Sequence, residues 1–347
     1  MGIKKTLEEK ILSRSNSYKF YKDYYEKHSG ISNPKLEKQL KQLQKDFNDY
    51  KSKNDAYIDS ANYLFNTLFI DYEMNNPTAL LNNIQMMCKE LLNLVGNICE
   101  KHDLTWWIAG GNLLGAVRHR NFVPWDDDMD IALMRKDYIV LYEVINEEIE
   151  KTGLDDIVKV HYRHRKIDNC TINTFLQLSV KHPISNRKNP VLGRVDVLPY
   201  DYIKDYNENT IVDDHFNAKI NFFSNLNKNM GFEYAINKLY DELNLSMEKT
   251  DKIIPGVEGS FGKNNLYKLV IFDTEEMFPI KQAQFGDSTL PVLNNPDHYL
   301  KKVYGDYLSV PKKVRTHSSV DTFRYATDAE EVFDKCYSRL KEVNDKF

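Results

Sequence analysis

The stretch WWIAGGNLLGAVRHRNFVPWDDDMDIALMRKDY, from Trp106 to Tyr138, decides how the chain is read. It holds the glycine pair Gly110 and Gly111, the basic run Arg118, His119 and Arg120, and four acids, Asp126, Asp127, Asp128 and Asp130. Trp106 to Ala109 reads as a short strand that ends at the glycines, and Asn112 to Val117 as a helical turn. Glycines there let backbone N–H groups approach a phosphate, with the positive end of a helix behind them; they also suit a plain tight turn. From Val123-Pro124-Trp125 a second strand is expected through Met134, because Met129, Ile131 and Leu133 alternate with Asp128, Asp130 and Ala132. Alternation puts Asp126, Asp128 and Asp130 on one face and turns Asp127 away. Carboxylates crowded on one face repel each other, which a hard divalent cation, Mg2+ or Mn2+, would relieve. The competing reading is a solvated acidic strand edge, although acids are poor strand formers. An EF-hand loop starting at Asp126 is excluded, since its glycine position holds Ile131 and its closing Glu position holds Asp137.

Upstream, Asn75-Asn76-Pro77-Thr78 precedes a helix to about His102 whose face carries Leu80, Leu81, Ile84, Met87, Cys88, Leu91, Leu92, Val95, Ile98 and Cys99. Another helix starts at Asn33-Pro34, with Leu36, Leu40, Leu43, Phe47, Tyr50, Tyr57, Ala61, Leu64 and Leu68 in heptad spacing and polar Asn54 on the seam. It is either a homodimerisation helix over residues 34–70 or an amphipathic helix packed on its own domain. Downstream, Asp155 to Arg165 and Thr174 to Lys181 alternate as strands. Around them Arg163, His164, Arg165, Lys166, Lys181, Arg187 and Lys188 solvate a surface or meet a polyanion. Between Val195 and Val197, Asp196 is an acid on an otherwise apolar strand; pairing with a neighbouring Arg is one explanation. Helices are expected over 205–250 and over Asp328 to Val343, the latter opened by a capping box of Thr327 and Glu330. Gly256, Gly259 and Gly262 are spaced by three and do not form a phosphate-loop fingerprint.

Length and composition set the outer limits. With 347 residues and 41% hydrophobic content the chain can bury a sizeable core as one large or two ordinary domains. A formal net charge of -4 gives no global attraction to nucleic acid. Cys88, Cys99, Cys170 and Cys336 form no C-x-x-C pair, which argues against a thiolate zinc site and fits a reducing compartment. The first residues lack the apolar core of a signal peptide, and no run reaches the length of a membrane span. Gly2 and Thr6 formally fit a myristoylation pattern. These features predict a cytoplasmic protein, with peripheral contact at the inner face of the membrane left open.

A glycine pair closing a strand and then an Asp-x-Asp strand resembles the nucleotidyltransferase superfamily of polymerase-β-like folds. The fuller run, Gly110-Gly111, Leu113 to His119 and Phe122 to Ile131, resembles the LicD family, bacterial phosphocholine transferases with fukutin-type polyol-phosphate transferases as relatives. Asn112 departs from it, where Ser or Thr is the expected residue. The segment around Asp196 is similar to the one that carries the family's third catalytic acid. Met277-Phe278-Pro279, Phe285-Gly286, Leu290-Pro291-Val292, Asp297 to Leu300, Tyr304 to Tyr307, Pro311 and His317 resemble its closing segments, so the likeness covers about residues 80 to 318.

The resemblance implies an α+β fold with a mixed sheet flanked by helices. The chain would then divide into a helical, coiled-coil-type extension over 1–75 with no counterpart in the family, a catalytic domain over 76–320 and a C-terminal helix over 321–347. It implies Asp128, Asp130 and Asp196 as catalytic acids, and Asp126 with those three as ligands of Mg2+ or Mn2+. Asp196 would be either a further ligand or the base that accepts the acceptor's proton. Gly110, Gly111, Asn112, Arg118, His119, Trp125 and His317 would contact substrate, and Trp106, Trp107 and Trp125 are either a choline cage or core residues. The implied reaction moves a phospho-group, foremost phosphocholine from CDP-choline, to a hydroxyl of a glycan such as teichoic acid, lipopolysaccharide or capsule, free or lipid-linked. Other CDP-linked donors, carrying glycerol-, ribitol- or ethanolamine-phosphate, fit the same site. Rival readings are nucleotidyl transfer from a nucleoside triphosphate, and a dimeric scaffold that keeps a relic of the site.

Overall fold

The structure, a computed structural model, describes residues 34–69, 79–167, 170–181, 191–228, 230–259, 269–309 and 329–347. The chain divides into two compact units, Met1–Phe65 and Asn66–Phe347. Helix α1 (Pro34–Phe69) runs unbroken past Asn54, as a heptad with one polar seam residue allows.

The second unit is built on a mixed sheet whose middle is β5 (Val191–Ile203). That strand is buried on both faces along most of its length, as the run of apolar residues around Asp196 requires. On one side β5 pairs in parallel with β2 (Met129–Met134), which pairs antiparallel with the edge strand β1 (Trp106–Ile108). On the other side lies the antiparallel hairpin of β3 (Val158–Ile167) and β4 (Cys170–Lys181), with β4 against β5. Register fixes one row across the four strands: Asp130 on β2 opposite Asp196 on β5, Asp196 opposite Gln177 on β4, and Gln177 opposite His161 on β3. Farther along, β5 also pairs with β6 (Leu245–Ser246) and β7 (Lys252–Pro255), and β7 with β8 (Phe272–Asp273).

Helix α2 (Ala79–Lys101) buries nearly its whole apolar set, from Leu81 to Cys99, in the main core. It is covered by the last helix, Ala329–Asn344, whose Cys336 and Leu340 are buried and whose Asn344 Nδ2 donates to Glu90 O at 2.9 Å. The capping-box residue Thr327 lies outside the described residues. Helix α3 (Gly110–His119) follows β1, and α4 (Arg135–Thr152) starts where β2 stops. Helices α5 (Ile211–Asn227) and α6 (Phe232–Leu243) pack on each other and enclose a second core with Phe222, Phe223, Ile236, Leu239 and Ile254. Among the described residues no helix is long and apolar enough to cross a membrane.

One expectation is corrected here. The strand begins at Met129, so Asp126, Asp127 and Asp128 belong to the loop before it rather than to its alternating pattern. Main-chain bonding explains the late start: Asp126 N donates to Val123 O at 2.9 Å, which closes a turn behind Pro124.

Candidate active site

The acidic loop, residues 126–128, is held by side chains that grip its main chain. Gln85 Nε2 donates to Asp126 O at 2.8 Å, and the Cys88 thiol to Asp127 O at 3.6 Å, both from α2. Asn112, in the first turn of α3, is buried and grips both sides of the bend: its Nδ2 donates to Asp128 O at 3.1 Å, while its Oδ1 accepts from Asp130 N. The main chain is thereby fixed without regular pairing, and its side chains converge. One carboxylate oxygen from each of Asp126, Asp127 and Asp128 lies within 4.8 Å of the others. Asp127 is therefore inside the cluster, not turned away from it, because strand alternation does not reach it.

Asp130 and Asp196 join from paired strands. Asp127 and Asp196 are buried, whereas Asp126, Asp128 and Asp130 are partly exposed, so the first two form the floor and the other three the reachable side. Burial first, and then the charges of Asp128, Asp196 and Asp126, push the Asp130 carboxyl well above the usual carboxylate range, with Arg194 pulling the other way. Arg194, two residues before Asp196 on β5, reaches Asp128 Oδ2 through Nη2 at 2.9 Å and Asp127 Oδ1 at 3.3 Å. Burial lowers its own pKa, but Asp128, Asp127 and Asp196 outweigh burial and hold it above the ordinary arginine value. One guanidinium against so many carboxylates leaves a strongly negative, oxygen-lined site, which is the donor set that hard divalent cations prefer.

The glycine pair stands directly against these acids. A Cβ on Gly110 would lie 2.6 Å from Asp130 Oδ2, and one on Gly111 2.6 Å from Asp126 Oδ2. Gly110 also has φ +52°, in the left-handed region. The pair thus brings bare main chain and the first turn of α3 up to the carboxylates.

Residues 103–230, which contain the glycine pair, the acidic loop, the β3–β4 hairpin and Asp196, match the LicD/FKTN/FKRP nucleotidyltransferase domain. The lipopolysaccharide cholinephosphotransferase LicD of Haemophilus influenzae is 25% identical over 252 residues, covering 65% of this chain and 91% of that protein. The ribitol 5-phosphate transferase FKRP of human and of mouse is 37% identical over 49 residues, covering 14% of this chain and 10% of that protein. The chain carries a LicD-family domain.

Within this LicD-family domain the other expected site residues have varied surroundings. Asn112 is corrected from a substrate contact to the clamp just described, since its buried amide is engaged on the main chain of Asp128 and Asp130. Arg118 is also buried: its Nη1 donates to Tyr307 O at 2.7 Å and its Nε to His119 Nε2 at 2.9 Å. Burial lowers its pKa to about 10. Acceptance at Nε2 puts the His119 proton on Nδ1. Trp106 and Trp107 belong to the core and not to a cage; Trp107 packs edge-on against Tyr200 and Phe278, with centroids 5.5 and 5.7 Å away. Trp125 is half-buried beside the acidic loop, and His317 lies outside the described residues. Sequence reasoning passed over Gln85, Gln177, His161 and the role of Arg194, which only register and long-range packing bring to the acids.

Proposed function

We propose that this LicD-family phosphotransferase moves a phospho-group from a CDP-linked donor, phosphocholine foremost, to a hydroxyl of a cell-surface glycan precursor. The observation that carries the reading is the acid cluster, Asp126 and Asp128 on the loop with Asp130 and Asp196 as register partners on the paired strands behind it, beside the partly exposed main chain of Gly110 and Gly111. Family membership supports phospho-group transfer over other uses of such a site. In the reaction the acceptor oxygen attacks the phosphorus that bears choline, the bond from that phosphorus to the bridging oxygen breaks, and CMP leaves with the electron pair. The hydroxyl proton passes to a base or to solvent.

Asp126, Asp128, Asp130 and Asp196 would hold Mg2+ or Mn2+; the hard-oxygen donors and the crowding that raises the Asp130 pKa fit such an ion. Bound there, it would neutralise charge on the phosphate oxygens and the leaving group. Asn112, Gln85 and Cys88 keep the acid-bearing main chain from moving, so the carboxylates are arranged before substrate arrives. Gly110 and Gly111, without side chains, leave room for a diphosphate to approach the acids at the first turn of α3. Arg194 holds Asp127 and Asp128 in place and limits their mutual repulsion.

Offering CDP-choline, CDP-ethanolamine, CDP-glycerol and CDP-ribitol in turn, with a glycan acceptor and Mg2+, tests the proposal. CMP should appear with one donor far faster than with the rest. Pyrophosphate release from a nucleoside triphosphate, with no CMP from any of the four, would assign the site to nucleotidyl transfer instead. Gly110→Ala is expected to lower turnover about 100-fold through displacement of Asp130. The same change should cost about 1–2 kcal/mol in stability through the left-handed backbone. Steady-state assay and thermal melting of one preparation read both effects, and wild-type turnover in a folded Gly110→Ala protein would contradict the close approach.

A further inference from the structure

The row across the sheet continues beyond the acids. Asp130, Asp196, Gln177 and His161 are register partners on β2, β5, β4 and β3, so the pleat sets their side chains on one face. Gln177 Nε2 donates to Asp196 Oδ1, and His161 Nε2 lies 2.8 Å from Gln177 Oε1. Donor and acceptor types give the chain one direction. A carboxylate can only accept, so the amide must present nitrogen to Asp196; its oxygen then faces His161, which must donate through Nε2–H. Gln177 is buried on the face of β4 opposite to Leu176 and Leu178, and a buried amide is costly unless bonded at both ends. A strand that needed only to pack would carry an apolar side chain at that position.

We propose that Gln177 is a positioning residue that fixes the carboxylate of Asp196, and that His161 acts one step behind it by anchoring the far end of the amide. This rests on the reading of the acids as the reactive centre. Asp196 is then held at Oδ1 by the sheet itself. Without His161 the amide is anchored at one end only, and its nitrogen can swing off the carboxylate and release Asp196.

The test uses Gln177→Leu, His161→Leu and His161→Gln in the full chain, with three readouts: Mn2+ affinity by titration, kcat and KM for the CDP-linked donor, and thermal melting without metal. Gln177→Leu should weaken Mn2+ binding and lower kcat by about 10–100-fold each, with KM for the donor nearly unchanged. His161→Leu, at a partly exposed position, should change both in the same direction by less, and His161→Gln, which keeps an N–H donor, should restore them. Wild-type Mn2+ affinity and kcat in both leucine variants would overturn the proposal, as would a His161→Gln protein as impaired as His161→Leu. A wild-type protein that neither binds Mn2+ nor releases CMP would overturn the reading of the acids, and the positioning role with it. If Gln177→Leu does not fold, the two His161 variants decide alone.

Discussion

Exchange of Asp128 and Asp130 together for alanine is expected to lower CMP release at least about 1000-fold without lowering the melting temperature. The size follows from several kcal/mol of charge stabilisation at the transferring phosphate, about 4 kcal/mol being a factor of 1000. The unchanged stability follows from the electrostatics of the ligand-free protein. Asp130 is pushed above the usual carboxylate range by burial and by Asp128, Asp196 and Asp126, so removing two of these acids relieves repulsion. Arg194 keeps Asp127 as a partner when Asp128 is gone, so the half-buried guanidinium is not stranded. Activity and melting measured on one preparation separate this outcome from misfolding. A double variant that releases CMP as fast as wild type would remove the acids from the mechanism.

The largest stability loss is expected away from the site, at Arg135. Its side chain is buried at the start of α4 and forks both ways: Nε and Nη2 reach the two oxygens of Asp201 at 2.8 Å each, and Nη1 and Nη2 reach Glu258 at 2.5 and 2.9 Å. Burial by itself would lower the pKa of Arg135, yet Asp201 and Glu258 outweigh it and hold the guanidinium well above its ordinary value. Tyr240 on α6 donates to Asp201 Oδ1 at 2.9 Å, so the fork ties α4, β5, α6 and the turn at Glu258 together. Arg135→Ala should cost about 3–5 kcal/mol in urea unfolding, because two buried carboxylates lose their counter-charge. Replacing Arg135, Asp201 and Glu258 together by apolar residues of similar size should cost far less, since the desolvation penalty disappears with the charges. Equal losses in the single and triple variants would show that packing, not charge pairing, holds this junction.

These two regions also show what the sequence made legible. The strand, glycine turn and helix from Trp106 to His119 were readable because apolar period and glycine position are local signals. Asp196 was readable as an acid out of place on an apolar strand, and pairing sets it opposite Asp130. The acidic loop differs from that reading because alternation holds only from Met129, and the geometry of residues 126–128 comes from Gln85, Cys88 and Asn112, outside the loop in sequence. Gln177 and His161 look like ordinary polar members of alternating strands, and only register reveals that they form a row with the acids. Arg135 looks like an ordinary helix-start base; its burial depends on Asp201 and Glu258, which nothing nearby in the chain announces. The same turn accounts for Gly256, which leaves room for Arg135 Nη2, 2.7 Å from where its Cβ would stand, whereas Gly262 lies outside the described residues.

Phosphorus NMR of one reaction mixture tests the central claim most directly. It contains the full chain, Mg2+, CDP-choline and a hydroxyl-bearing glycan acceptor. The account predicts that the diphosphate signals of the donor give way in equal amounts to CMP and to a phosphodiester carried on the glycan, and that neither product forms with the Asp128→Ala, Asp130→Ala protein. Diphosphate signals that persist for every CDP-linked donor, while a nucleoside triphosphate in the same mixture is converted to pyrophosphate, would contradict it.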